Sequence, residues 1–272
     1  MIVLGCLACP AVGMADENFE LPQLSPQAKV AQRVGITDFS LDYSSPAVKG
    51  RKIWGALVPY DKSWRAGANA GTKLTASRDF KVGTTAVKAG TYLIFMIPGE
   101  KQWTAVLNSD VSAGQNHDAA KDVARVTITP VALPQPRERL AFIFSDTTDA
   151  GTALDLEWES VRVRMPITVD TKGQVDAAIE KNLADTWRPH FMSANYLFQN
   201  GDMKRAQDYV AKSITIKPTL RNEWLSAQIL WKQGKKQQAK AAAARAMKLG
   251  PADPAFEVFF KGEITKTVAT WK

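Results

Sequence analysis

From about Val30 to Thr168 apolar and polar residues alternate with a period of two, the spacing of half-buried β-strands. Phe39, Leu41 and Tyr43 alternate with polar neighbours. Tyr92, Ile94 and Met96 point one way and Leu93, Phe95 and Ile97 the other, which predicts a strand buried on both faces. Pro98-Gly99-Glu100-Lys101 turns the chain, and Trp103, Ala105 and Leu107 return as the hairpin partner. Val126 and Ile128 follow, then Leu140, Phe142 and Phe144. Leu154, Leu156 and Trp158 alternate with outward Asp155, Glu157 and Glu159, and Val161, Val163 and Met165 with outward Arg162 and Arg164. Short strands broken by Gly, Pro and Asp predict an all-β domain, sandwich-like or barrel-like, over residues 24–168.

After Pro166 the period changes. Val175, Ile179, Leu183 and Trp187 recur every four residues, one stripe of a helix, and Thr171-Lys172-Gly173 reads as a linker. The remainder, residues 173–272, is predicted helical and contains an internal repeat. A shift of 33 residues places Ala194 on Ala227, Leu197 on Leu230, Gly201 on Gly234, Ala206 on Ala239, Ile214 on Met247 and Pro218 on Pro251. The order of small, large apolar, turn glycine, small and proline resembles the tetratricopeptide repeat family over residues 187–252. Ser213 departs from that pattern, standing where alanine is usual. Two such units bury little by themselves, so the preceding helix and the segment 255–270 are expected to cap the stack.

Composition adds an address. Residues 1–15 (MIVLGCLACPAVGMA) are apolar and uncharged and end in Gly13-Met14-Ala15, the pattern of a cleaved export signal with a cut before Asp16. The run is shorter than the roughly 20 residues a membrane helix needs, and no second run of that length follows. A weaker alternative is a lipoprotein, since Val3-Leu4-Gly5-Cys6 faintly resembles a lipobox. Both cysteines, Cys6 and Cys9, lie in this leader, so a mature chain would carry no disulfide, thiolate nucleophile or cysteine-based zinc site. The protein is therefore expected in the periplasm or secreted. Its net charge of +8 comes almost entirely from residues beyond 170, a basic helical surface open to an acidic partner or simply well solvated. No nucleic-acid-binding motif accompanies it.

The segment from Tyr43 to Leu74 gathers Arg51, Lys52, Trp64, Arg65 and Asn69 among glycines. Forked guanidinium donors beside flat indole faces are the chemistry of an anionic or sugar-like ligand, and these five are the candidate binding residues. A structural use is the alternative: Arg65 paired with a carboxylate, Trp64 in the core and Asn69 capping a turn. Arg51 is then the better candidate for an exposed anion contact.

Tyr43-Ser44 with Pro46, Val48-Lys49-Gly50-Arg51, Gly55 with Leu57-Val58-Pro59-Tyr60, and Trp64-Arg65 with Gly67-Ala68-Asn69 are similar to the bacterial exported family catalogued as domain of unknown function 2911. The likeness continues through Ala89-Gly90-Thr91-Tyr92, Ile97-Pro98, Trp103, Leu107-Asn108, Asp122 and Arg125 to Trp158 and Val163, covering roughly residues 25–166. It implies export, this fold and a helical repeat companion, and no established activity. Ser45 stands where the family usually has arginine, Ala70 where it often has an acid, and Gly114-Gln115-Asn116-His117 replaces a more aromatic loop.

Enzyme signatures are poor. The two histidines, His117 and His190, fall one in each predicted domain, and no G-x-S-x-G, H-E-x-x-H or phosphate-loop motif occurs. Asp146 to Glu157 mimics a calcium loop only faintly, because Ala150 cannot ligate through its side chain. No metal or cofactor is expected. The leading reading is an exported, non-catalytic binding or protein-interaction protein, with a ligand at the β-domain loop and a peptide or protein at the helical tail. The rivals are an envelope hydrolase using paired carboxylates and a purely structural envelope component.

Overall fold

A computed structural model describes residues 21–181 and 186–272. The leader, with Cys6 and Cys9, and Leu183 of the helical stripe lie outside the described residues. The chain divides into two compact units between Thr171 and Lys172.

The first unit contains two antiparallel sheets. Six strands, β1 (Gln27–Val34), β2 (Thr37–Ser44), β3 (Thr72–Ala76), β6 (Gly90–Ile97), β7 (Trp103–Asn108) and β8 (Asp122–Ile128), form one sheet in the order β1-β2-β3-β6-β7-β8. β4 (Phe80–Val82), β5 (Thr85–Val87), β9 (Val131–Ser145) and β10 (Gly151–Thr168) form the other in the order β5-β4-β10-β9. The sheets do not close into a barrel among the described residues, so the sandwich-like form is the one adopted.

The alternation sets this arrangement. Phe39 and Leu41 of β2, Ile94 and Met96 of β6 and Leu107 of β7 share one buried core with Phe142 of β9 and Leu156, Trp158 and Val163 of β10. The opposite face of β6 is buried too, where Leu93 and Phe95 join Val106 in a separate cluster with Ile97 and Ala113 packed against it.

β10 reverses on itself at Glu159, which has a φ of +53°. The register with β9 breaks on both sides of that residue. Beyond the ends of the strand, the Val169 N–H donates to Ala150 O at 2.9 Å. Cross-strand pairs then follow: Arg164 reaches Asp155 at 2.9 Å and Arg162 reaches Glu157 at 2.8 Å. The acids and arginines that alternate outward are thus partners. Asp155 and Glu157 face away from the core, yet arginine stems cover them to 2% and 5% exposure.

The second unit is helical: α1 (Thr171–Lys181), α2 (Trp187–Gln199), α3 (Met203–Ile216), α4 (Leu220–Lys232), α5 (Lys236–Leu249) and α6 (Lys261–Ala269). Thr171-Lys172-Gly173, read as a linker, is the first turn of α1. α4 begins and ends 33 residues after α2, and α5 begins and ends 33 residues after α3. Gly201 and Gly234 make the two intervening turns at φ +83° and +77°, a conformation that costs other residues more. Ala194, Ala206, Ala227 and Ala239 are fully buried where no larger side chain would fit. Ser213 is explained by its bonds: it donates to Trp187 O at 2.8 Å and accepts from Asn222 at 3.0 Å, linking one helix pair to the next. Phe256, Ile264 and Trp271 join the core of α4 and α5, so the C-terminal segment covers that end.

Candidate functional site

The motif loop crosses the open end of β3. Where β3 stops, Trp64 continues beside β6, its N–H donating to Met96 O and its carbonyl accepting from Met96 N–H, both at 2.8 Å. This seats the Trp64 ring on the core. Trp54, Trp64, Trp103 and Trp158 pack together, with centroids 4.6 Å apart for Trp54–Trp103 and 5.8 Å for the stacked Trp64–Trp158 pair. The Trp64 indole N–H donates to Gly67 O at 3.1 Å and closes the following turn. A Cβ on Gly67 would lie 2.9 Å from Thr72 Oγ1 and 3.1 Å from Ser44 O, so the chain passes too close there for a side chain.

Each candidate residue then has a definite place. Arg51 is exposed, and its Nε donates to Val48 O at 3.0 Å and its Nη2 to Ala47 O, which closes its own turn. Lys52 is exposed. Asn69 sits at φ +53°, a left-handed conformation that asparagine tolerates better than most residues. Its Nδ2 donates to Gln23 Oε1 at 3.0 Å and Ser25 O at 3.1 Å, fastening the chain that leads into β1. Arg65 is half-buried and pairs with no carboxylate among the described residues; its Nη1 donates to the amide oxygen of Gln115 at 3.0 Å. The Arg65 Nε is enclosed and has no hydrogen-bond partner among the described residues. Trp64 and Arg65 therefore stand side by side, whereas Arg51 and Asn69 each bond to a different stretch of backbone. A hollow of about 170 Å³ opens beside Ala70 and Gly71, lined also by Asp42, Tyr43 and Lys73, and none of the five candidates lines it. Its volume is below the range of roughly 300–1,000 Å³ typical of small-molecule sites.

A second cluster lies on the outer face of the six-stranded sheet. Asp122 is buried and accepts from Asn108 Nδ2 at 2.8 Å, from His117 Nε2 at 2.8 Å and from Arg125 Nη1 at 2.7 Å. An ionised carboxylate only accepts, so Asp122 fixes the proton of His117 on Nε2. The imidazole lies against Phe95, centroids 4.8 Å apart. Asn108 Nδ2 also donates to Asp118 O, and Lys121 bonds Asp110. The Lys121 ammonium, and after it the Ser112 hydroxyl and backbone N–H, hold the Asp110 carboxyl down to about 2. These bonds pin the loop between β7 and β8, which carries Gln115 to Arg65. Asn108, Asp122 and Arg125 appear in the sequence only as separate matches to a motif. Their convergence depends on the pairing of β7 with β8, which no local pattern specifies.

Elsewhere, the carboxylates buried in the β-unit are held by arginine. Asp155 takes two bonds from Arg164, whose guanidinium is held more firmly charged by that carboxylate and by Asp146. Glu157 is shared by Arg137 and Arg162. Asp146, first residue of the faint calcium-loop pattern, is itself paired with Arg164. In the helical unit His190 is buried and stacks on Tyr209.

These features define a class: a two-sheet β-domain whose long loop is rooted in a tryptophan cluster, followed by paired helices. A family model described as a protein of unknown function (DUF2911) matches residues 25–167, more than half of the chain, and the chain belongs to that family. No curated protein and no solved structure matches it.

Proposed function

We propose that this chain is an exported, non-catalytic binding protein of the cell envelope. The β-domain presents the loop from Arg51 to Asn69 to an anionic ligand or an anionic sugar. The helical unit, read as tetratricopeptide-like on the 33-residue offset of its helix pairs, docks a peptide or protein. The observation that carries the reading is the contrast between the buried carboxylates and Arg65. Asp122, Asp155 and Glu157 have their lone pairs committed to arginine, an arrangement suited to holding loops and strands in place. Arg65, in the same domain, keeps an unpartnered guanidinium edge beside Trp64.

A structural role without a small ligand is the second reading, favoured by Arg51 and Asn69, which bond to nearby backbone. Titrating the full chain with oligouronates and acidic peptides while following tryptophan fluorescence separates the two, because Trp64 reports directly on the loop. A saturable change that disappears in Arg65→Ala is expected, and an unchanged signal with every ligand would favour the structural reading. Export is tested on the protein from its native host, where mass spectrometry should find an N-terminus at or near Asp16. A cytoplasmic chain retaining Met1 would remove that part.

A further inference from the structure

Arginines at the surface of this protein are mostly matched to carboxylates. Arg125 pairs with Asp122, Arg137 and Arg162 with Glu157, Arg164 with Asp155, Arg221 with Asp253, and Arg245 with Glu223. Arg65 is the exception that combines partial burial with a neutral partner. It meets the carboxamide of Gln115, and its Nε is the one arginine nitrogen among the described residues that is enclosed and has no acceptor. The position that follows Asn69, where an acid would be close in sequence, is Ala70.

The partner is also weakly held. Gln115 is exposed and sits after Gly114, which has a φ of +59° and open space around its Cα. The turn is closed locally by Ala113 N–H to Asp110 O and Asn116 N–H to Ala113 O. The firm anchor is two residues on, where His117 bonds Asp122. Gln115 can therefore swing aside while its loop stays fastened. A guanidinium edge with an unused Nε–H and a displaceable amide oxygen fits a planar or tetrahedral oxyanion, which supplies two acceptors and the missing negative charge.

We infer that Arg65 binds an oxyanion, a carboxylate or phosphate group of the ligand, and that Gln115 occupies the oxyanion's place until it arrives. The inference rests on the reading of this loop as a binding loop and names its anchoring group. The test uses the full chain labelled with nitrogen-15 in arginine, following the Arg65 Nε–H resonance during titration with inorganic phosphate and, separately, with acetate. Sodium chloride at matched ionic strength is the control. A saturable shift with phosphate or acetate and none with chloride is expected, and the anion that saturates at lower concentration identifies the ligand group. Gln115→Ala should tighten binding by roughly 3- to 10-fold, the worth of one neutral hydrogen bond. Gln115→Glu should abolish it by supplying an internal carboxylate. Gln115 is exposed, so both variants are expected to fold, which circular dichroism verifies. Equal shifts with chloride, no shift at all, or a Gln115→Glu protein that titrates like wild type would overturn the assignment. If tryptophan fluorescence responds to anionic sugars while the Arg65 Nε–H stays still, the binding reading stands and only this anchoring role falls.

Discussion

Asn69 shows how one residue serves two physical ends. Its left-handed backbone turns the loop, and its amide fastens the segment at Gln23 and Ser25. The two contributions can be separated. Asn69→Ala loses both the side-chain bonds and the tolerance of positive φ, and urea melts should show a loss of about 1–2 kcal/mol. Asn69→Gly restores the backbone and should recover part of that loss. If the two variants melt alike, the conformational share is negligible. The candidate loop was legible as a cluster of polar and aromatic residues, because Arg51, Lys52, Trp64, Arg65 and Asn69 are close in sequence. Their partners were not legible: Gln115 lies 50 residues from Arg65, and Gln23 lies 46 from Asn69. Sequence reading expected a carboxylate for Arg65. The strand order instead delivers the tip of the loop between β7 and β8, which carries an amide.

At the scale of elements, the reversal of β10 turns alternation into pairing. Asp155 and Glu157 on one half face Arg164 and Arg162 on the other, and Arg137 of β9 adds a second bond to Glu157. Removing one member of a buried pair strands the rest, but both arginine heads on Glu157 remain partly in water and recover some solvation. Glu157→Ala is therefore expected to lose roughly 1–3 kcal/mol, below the usual cost for a fully buried pair. A double variant, Glu157→Ala with Arg162→Ala, should lose less than the sum of the two single losses, since the pair acts as a unit. Additive losses in urea melts would show that the ladder is solvated surface. The helices follow a different logic. Their repeat is legible because alanine and glycine recur at helix crossings and turns, where there is no room or no tolerance for other side chains.

For the whole molecule, each unit has its own core, and the β-unit closes its last hairpin with residues just beyond the strand. Val169 N–H bonds Ala150 O, and the Thr171 hydroxyl bonds Asp149 O. A chain of residues 24–171 is expected to fold alone, with a β-type circular dichroism spectrum and a cooperative urea transition. Ending it at Thr168 removes both bonds and should lower stability by about 1–2 kcal/mol. Aggregation of the longer fragment would mean that the helical unit completes the β core. What the amino-acid sequence determined by itself was everything that follows from local period: which residues of each strand face the core, where the helices repeat, and which residues crowd into the motif loop. Backbone geometry makes those properties local, because a strand alternates every residue and a helix every three to four. The tertiary structure alone decided the partners: Asn108, His117 and Arg125 around Asp122, the arginines on Asp155 and Glu157, and Gln115 on Arg65. Those contacts join residues that only strand pairing and loop paths bring together, and two different paths through the same strands would have matched the same sequence pattern.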